Sequence, residues 1–268
     1  MQGSNIHAWA ANIVNQAFQQ VMGRAPTPAE RQIVMAVSSL ESGYGRGWGK
    51  GKSNAGQGSH NWGAVQTRSK TAPQFQHGDS SAEGSYTVGF KVYPDDVAGA
   101  ADVVRHLFKS GRKQQKPSAK HKQRAQGGEI SGPGRGELIQ AAAEQGDTTA
   151  FSRAMWYTSY FEGTQPDFVK NIQNHANGIQ SKVNKIAAAL GETPAWSIKT
   201  QNYLPVTTDQ SVISEIAQMN PEAGAGMPVA MPAAPQQPLP SPAVNVRPAL
   251  EEQPASELSG IESMVWFQ

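Results

Sequence analysis

The sequence predicts a mainly α-helical domain with a small β-hairpin lobe, followed by an extended Pro/Ala-rich tail. Three observations predict it. Apolar residues recur at helical spacing in six stretches before residue 191. One stretch, residues 75–93, alternates instead. Charge and composition change together near residue 191: residues 1–191 carry 21 Lys and Arg against 13 Asp and Glu, whereas residues 192–268 carry 2 against 8 and are crowded with Pro, Ala and Gln. The pattern implies a basic globular domain over 1–191 and an acidic, largely extended tail over 192–268.

Residues 5–22 place Ile6, Trp9, Ile13, Val14, Ala17, Phe18 and Val21 at helical spacing. The next helix carries its own start signal: Thr27 as N-cap, Pro28 in the first turn and Glu30 completing a Thr-x-x-Glu capping box. Its apolar stripe runs Ile33, Val34, Val37, Leu40, with Glu41 on the same face, and Gly43 and Gly45 stop it. Residues 45–60 are glycine-rich. In the alternating stretch, Tyr86, Val88, Phe90 and Val92 share one face of a short hairpin. Asp95 opens a third helix through Phe108, with Val97, Ala101, Val104, Leu107 and Phe108 inward. Residues 109–135 read as a polar, basic loop, with eight Lys and Arg against one acid, Glu129. Helices follow at about 137–145, 148–160 and 167–190. Segment 220–256, rich in Pro and Ala, takes no regular structure.

Several function classes fall away. The chain has no cysteine, hence no disulfide scaffold, thiolate nucleophile or zinc–cysteine site. No apolar run approaches the length of a membrane span. The N-terminus has neither a charged n-region nor an apolar h-region, an expectation against ordinary secretory export. Gly43, Gly45 and Gly47 follow a helix rather than a strand, so they are no dinucleotide loop, and Arg46 stands where a phosphate loop before Gly51-Lys52-Ser53 needs glycine. The six histidines show no ligand spacing, no Gly-x-Ser-x-Gly elbow occurs, and neither a metal nor a cofactor is expected. The basic loop suits an anionic polymer by charge alone, but no aromatic is interleaved for base stacking, so nucleic acid is the weaker expectation.

Glu41 carries the chemistry. It ends an apolar stripe in Ser38-Ser39-Leu40-Glu41-Ser42-Gly43-Tyr44-Gly45, ahead of the turn segment Asn61-Trp62-Gly63-Ala64-Val65-Gln66. Partial desolvation and the negative end of its own helix both favour the protonated acid there. A carboxylic acid kept neutral near pH 7 is what general-acid cleavage of a glycosidic bond requires.

These two segments resemble the lysozyme superfamily, most nearly the glucosaminidase-type peptidoglycan hydrolases of bacteria and phages (glycoside hydrolase family 73-like). Phe90-Lys91-Val92-Tyr93-Pro94-Asp95-Asp96 is similar to that family's strand-to-helix junction, and Ala154-Met155-Trp156-Tyr157-Thr158-Ser159-Tyr160-Phe161-Glu162-Gly163 to its late Tyr-Tyr-x-Gly segment. The likeness covers roughly residues 28–180. It implies a lysozyme-like domain that cuts β-1,4 bonds of the peptidoglycan backbone, with Glu41 as general acid. Tyr44, Trp62, Gln66, Tyr157 and Tyr160 would line the glycan groove. Tyr160 would orient Glu41 or bind an N-acetyl group. A second carboxylate, where the family has one, comes from the hairpin, which offers Asp79 first and Glu83 second. Without one, the substrate's own N-acetyl group or 6-hydroxyl would attack, giving hydrolysis or lytic transglycosylation respectively. The extended tail with its apolar end, Ile261-Glu262-Ser263-Met264-Val265-Trp266-Phe267-Gln268, reads as a docking peptide. With no export signal, this leads to the expectation of a phage virion component that digests the wall at entry and contacts other virion proteins through the tail. The alternative is a virion protein whose lysozyme-like domain binds glycan without cleaving it.

Overall fold

Helix α1 (Ile6–Met22) turns Ala10, Val14, Ala17 and Phe18 inward, the face that helical spacing expects. Helix α2 (Pro28–Glu41) starts at the expected capping box: Glu30 N–H donates to Thr27 Oγ1 at 3.2 Å and Thr27 N–H to Glu30 Oε2 at 2.8 Å. Arg24 grips both Glu30 oxygens, at 2.7 and 2.5 Å. Burial would raise the Glu30 carboxyl, but Arg24 and the Thr27 N–H hold it below the usual range. The stripe expected of α2 is too narrow. Every residue from Gln32 to Ser38 is buried, whereas Leu40 is 41% exposed. The helix is central, packed against α1 and against three later helices: α3 (Asp96–Val104), α4 (Arg135–Gln145) and α6 (Phe168–Leu190). A buried side chain the size of Ile33 or Phe18 contributes roughly 1.5–3 kcal/mol.

The structure is a computed structural model that describes residues 6–46, 58–67, 71, 73–81, 84–118, 125–161, 163, 165–199 and 201–224, all within one compact unit, Met1–Pro228. The chain is mainly α, as expected. The hairpin is present as β2 (Gln74–Ser81) and β3 (Gly84–Lys91), paired antiparallel with Phe75 opposite Phe90; the two-residue β1 (Gln66–Thr67) completes the sheet in the order β1-β3-β2. Phe75 and Phe90 stack at 5.5 Å. After α3, a π-helical turn (Arg105–Lys109) brings Leu107 and Phe108 into the core. Helix α5 (Thr148–Tyr157) packs between α4 and α6, and the main core draws on α1 to α6. Among the described residues no helix is long and apolar enough to cross a membrane.

Two expectations need correction. Residues 109–135 are not simply a loop: β4 (Lys113–Pro117) and β5 (Ala125–Gly134) pair antiparallel with irregular register. Alternating hydrophobicity was not there to find. Instead the buried Gln114 amide grips both backbone groups of Val206, at 2.7 and 3.0 Å. The expected extended tail is folded up to residue 224. Glu192 pairs with Arg31 at 2.5 Å, and buried Trp196 donates to Ala29 O at 2.8 Å. Asp209 caps α7 (Gln210–Met219), whose Val212 and Ile216 join Tyr203, Leu204, Trp156 and Phe168 in a second apolar cluster. A few large side chains at the right spacing outweigh a polar, acidic composition. Residues 225–268, including the expected apolar tip, lie outside the described residues.

Candidate active site

Glu41 is the last residue of α2 and is half-buried. Beyond it Ser42 caps the helix, and Gly43, Tyr44 and Gly45 all have positive φ, at 58°, 65° and 70°. This left-handed run folds the chain back, a path glycine takes readily and tyrosine does not. Ser42 Oγ secures it, donating to Trp62 O at 2.8 Å and accepting from Gly45 N–H at 2.9 Å.

The turn segment 58–66 lies against that end of α2 and is stapled from within. Asn61 Nδ2 donates to Val65 O and Lys91 O, both at 3.0 Å, and Asn61 Oδ1 accepts from Val65 N–H at 2.8 Å. Two glycines set its approach to α3. A side chain at Gly99 would meet His60 O at 1.8 Å, and one at Gly63 would meet Val103 Cγ2 at 2.8 Å, with the Tyr160 hydroxyl 3.6 Å away. The segment therefore runs between α3 and Tyr160.

Tyr160 is the hub of the site. Its hydroxyl is pushed well above the usual phenol range by burial first, then by the negative charge of Glu41, with Asp102 adding and Arg135 opposing. Asp102, on α3, accepts from the Tyr93 hydroxyl and from Lys91 Nζ at 3.0 Å. Arg105 and His106 stand at 4.0 and 3.7 Å from its other oxygen. Burial would raise the Asp102 carboxyl, but the Tyr93 and Lys91 hydrogen bonds hold it below the usual range. Burial first, and then the same contact, push the Tyr93 hydroxyl upward.

Of the residues expected here, Tyr160 lies within the electrostatic reach of Glu41, and Gln66 is exposed on β1 beside the turn. Three others belong to the core rather than to a groove. Trp62 has no exposed surface; it packs on Trp9 and Tyr44 at 5.5 and 5.4 Å, and its indole N–H goes to Asp96. Tyr44 is buried, its hydroxyl 2.8 Å from His7 Nδ1 and raised by burial to about 12. Tyr157 is buried against Trp156 and Phe168, and its hydroxyl has no hydrogen-bond partner among the described residues. In each case an aromatic ring gains more from close packing in a small domain than the sequence could reveal. Asp79 pairs with Tyr86 in the hairpin register; Glu83 lies outside the described residues.

Sequence reading missed Asp102 and Arg135. Asp102 was visible as the one acid on an otherwise apolar helix face following Tyr93-Pro94. Arg135 falls in the stretch that reads as a polar, basic loop, yet it is buried. Among the described residues no group of three or more His, Asp or Glu is placed to hold a metal ion. A hollow of about 460 Å³ lies at the opposite end of α2, between Thr27, Glu30, Gln140 and Glu144, away from Glu41.

No protein-family model and no curated protein matches the sequence. Among solved structures, the chain is similar to a truncated glycoside hydrolase domain of FlgJ from Salmonella typhimurium, with 18% identity, 68% of this chain and 95% of that one covered, and a TM-score of 0.38. It is also similar to a peptidoglycan hydrolase from Sphingomonas sp. A1 (18% identity, 69% and 93% covered, TM-score 0.40). A third is the catalytic domain of the autolysin Auto from Listeria monocytogenes (12% identity, 71% and 89% covered, TM-score 0.39). At these identities and scores, a functional assignment rests on the chain's own residues.

Proposed function

We propose that the chain is a peptidoglycan glycosidase that cleaves β-1,4 bonds of the cell-wall glycan backbone, with Glu41 as general acid. One observation carries this reading: Glu41 sits half-buried at the C-terminal end of α2, and Ser42 beside it ties that helix end to the Trp62–Gly63 turn, which runs past the Tyr160 hydroxyl. A carboxyl at a helix C-terminus and partly out of water tends to keep its proton, and a glycosidic oxygen needs that proton as its bond breaks. Tyr160 orients the acid or the sugar, and Gln66 offers an exposed amide to the glycan.

Attack on the anomeric carbon by water, aided by Asp79, Glu83 or the substrate's N-acetyl group, leaves a reducing end. Attack by the sugar's own 6-hydroxyl leaves a 1,6-anhydro end. Mass spectrometry of fragments released from sacculi tests the proposal, since product ends report both the bond and the route. Intact glycan after digestion with folded protein would reject it.

Burial of Tyr44, Trp62 and Tyr157 favours a second reading, because it removes three rings from the expected sugar contacts. In that reading the domain is a structural virion protein that binds glycan without cutting it. Retention on sacculi with no soluble fragment would select it.

The finer proposal is a phage enzyme carried in the virion, acting on the bacterial wall at entry. Its segment 225–268, ending in the apolar residues 261–268, would dock on other virion proteins. The support is the Pro/Ala-rich composition of that segment and its apolar end. Immunodetection in purified particles tests this; detection only in infected-cell lysate would overturn it.

A further inference from the structure

Helix α5 ends in a strained corner. Ser159 has φ of 54°, a left-handed conformation that glycine normally fills at this position. The helix-ending bonds are both present: Ser159 N–H donates to Trp156 O and Tyr160 N–H to Met155 O, each at 2.9 Å. Backbone strain of this kind persists only where surrounding structure overdetermines it. Here two side chains do so. Ser159 Oγ donates to Ala125 O at 2.6 Å. The Arg135 guanidinium donates from Nε to Thr158 Oγ1 at 2.8 Å, from Nη2 to Thr158 O at 2.6 Å and from Nη1 to His106 O at 3.4 Å.

That guanidinium also lies 5.2 Å from the centre of the Tyr160 ring. Among the described residues its hydrogen-bond partners are all neutral. Burial lowers it to about 10, so it remains charged at neutral pH. A buried cation held by neutral acceptors and one aromatic face is an expensive way to end a helix if packing were its only role.

We propose that Arg135 is a positioning residue, fixing the strained α5 corner and the Tyr160 ring so that the Tyr160 hydroxyl keeps its place against the Gly63 turn beside the end of α2; this rests on the glycosidase reading. An ammonium cannot reproduce the clamp, because a single nitrogen does not span Thr158 Oγ1, Thr158 O and His106 O as the planar fork does.

The test is a double-mutant cycle on sacculus digestion with Arg135→Lys, Tyr160→Phe and the double variant. Thr158→Val removes a single arm of the clamp should Arg135→Lys fail to fold. Arg135→Lys is expected to lower kcat by about tenfold or more with KM within about twofold, since misalignment acts on the reacting geometry rather than on binding. Thr158→Val gives a smaller loss of the same kind. The double variant is expected to be no worse than the poorer single one, because both changes remove one function. Full kcat in Arg135→Lys, or losses that multiply, would overturn the proposal. A readout independent of turnover is the ¹⁹F resonance of fluorotyrosine-labelled Tyr160, which should shift in Arg135→Lys and Thr158→Val; an unmoved resonance overturns it too. A wild-type protein that digests nothing, with the resonance shift intact, would instead reject the glycosidase reading.

Discussion

Trp62 donates its indole N–H to Asp96 Oδ1 at 3.0 Å from a position without solvent exposure. The same oxygen pairs with His60 Nδ1 at 3.0 Å. One carboxylate in the first turn of α3 thus fastens two residues of the turn that borders Glu41. Trp62→Phe is expected to cost about 2–4 kcal/mol, from a lost bond to a charged group and an unfilled volume. Urea denaturation measures this. Sacculus binding at a temperature where the variant is folded should be unchanged; a binding defect without a stability loss would return Trp62 to the groove.

Asp102 makes stability depend on acid. Its folded value lies below the ordinary one, so its contribution is complete above the unfolded aspartate value near ~4 and fades as pH falls through the depressed folded value. Asp102→Asn is expected to flatten the acid limb of the stability curve and to cost about 1–3 kcal/mol at pH 7, where Lys91 and Tyr93 lose their partner. Equal acid limbs in the two proteins would contradict this.

His175 works at higher pH. Its ring stacks on Phe161 at 4.1 Å, its Nδ1 lies 2.9 Å from Ser152 Oγ, and burial lowers it to about 3. Since the folded value is the depressed one, the unfolded chain binds a proton first as pH falls. Stability is complete above the unfolded histidine value near ~6.5 and is lost progressively below it. A drop of roughly 1–2 kcal/mol between pH 7 and pH 5 is expected, and His175→Phe should abolish it. Chemical denaturation at both pH values provides the check.

Thr27→Ala is expected to cost about 1 kcal/mol, the usual penalty for an N-cap. Sacculus digestion at saturating substrate should be unaffected, because the cap stands at the far end of α2 from Glu41. Loss of activity without loss of stability would show coupling along the helix that packing alone does not supply.

The helices were legible because their signals are local. The Thr27-to-Glu30 box, the Asp95 cap and the 3.6-residue spacing of Val14, Ala17 and Phe18 each depend on neighbours along the chain. The β4–β5 ribbon and α7 were not legible, since their stability comes from contacts such as Gln114 with Val206 and Lys116 with Glu215, distant in sequence. The site divides in the same way. Glu41 announced itself by its place at a helix end. Whether an aromatic ring faces a sugar or the core depends on what packs over it, and the sequence around Trp62 is silent on Trp9 and Tyr44. Arg135 hid because a charged residue between two glycines in a basic stretch reads as solvated.

The most direct measurement is the rate at which wild-type protein and Glu41→Gln release soluble fragments from purified sacculi, with thermal unfolding followed in parallel. Removing a general acid should lower release by about 10²–10⁴-fold while the melting temperature stays within a few degrees. Undiminished release by a folded Glu41→Gln protein would contradict the assignment of Glu41 as the proton donor.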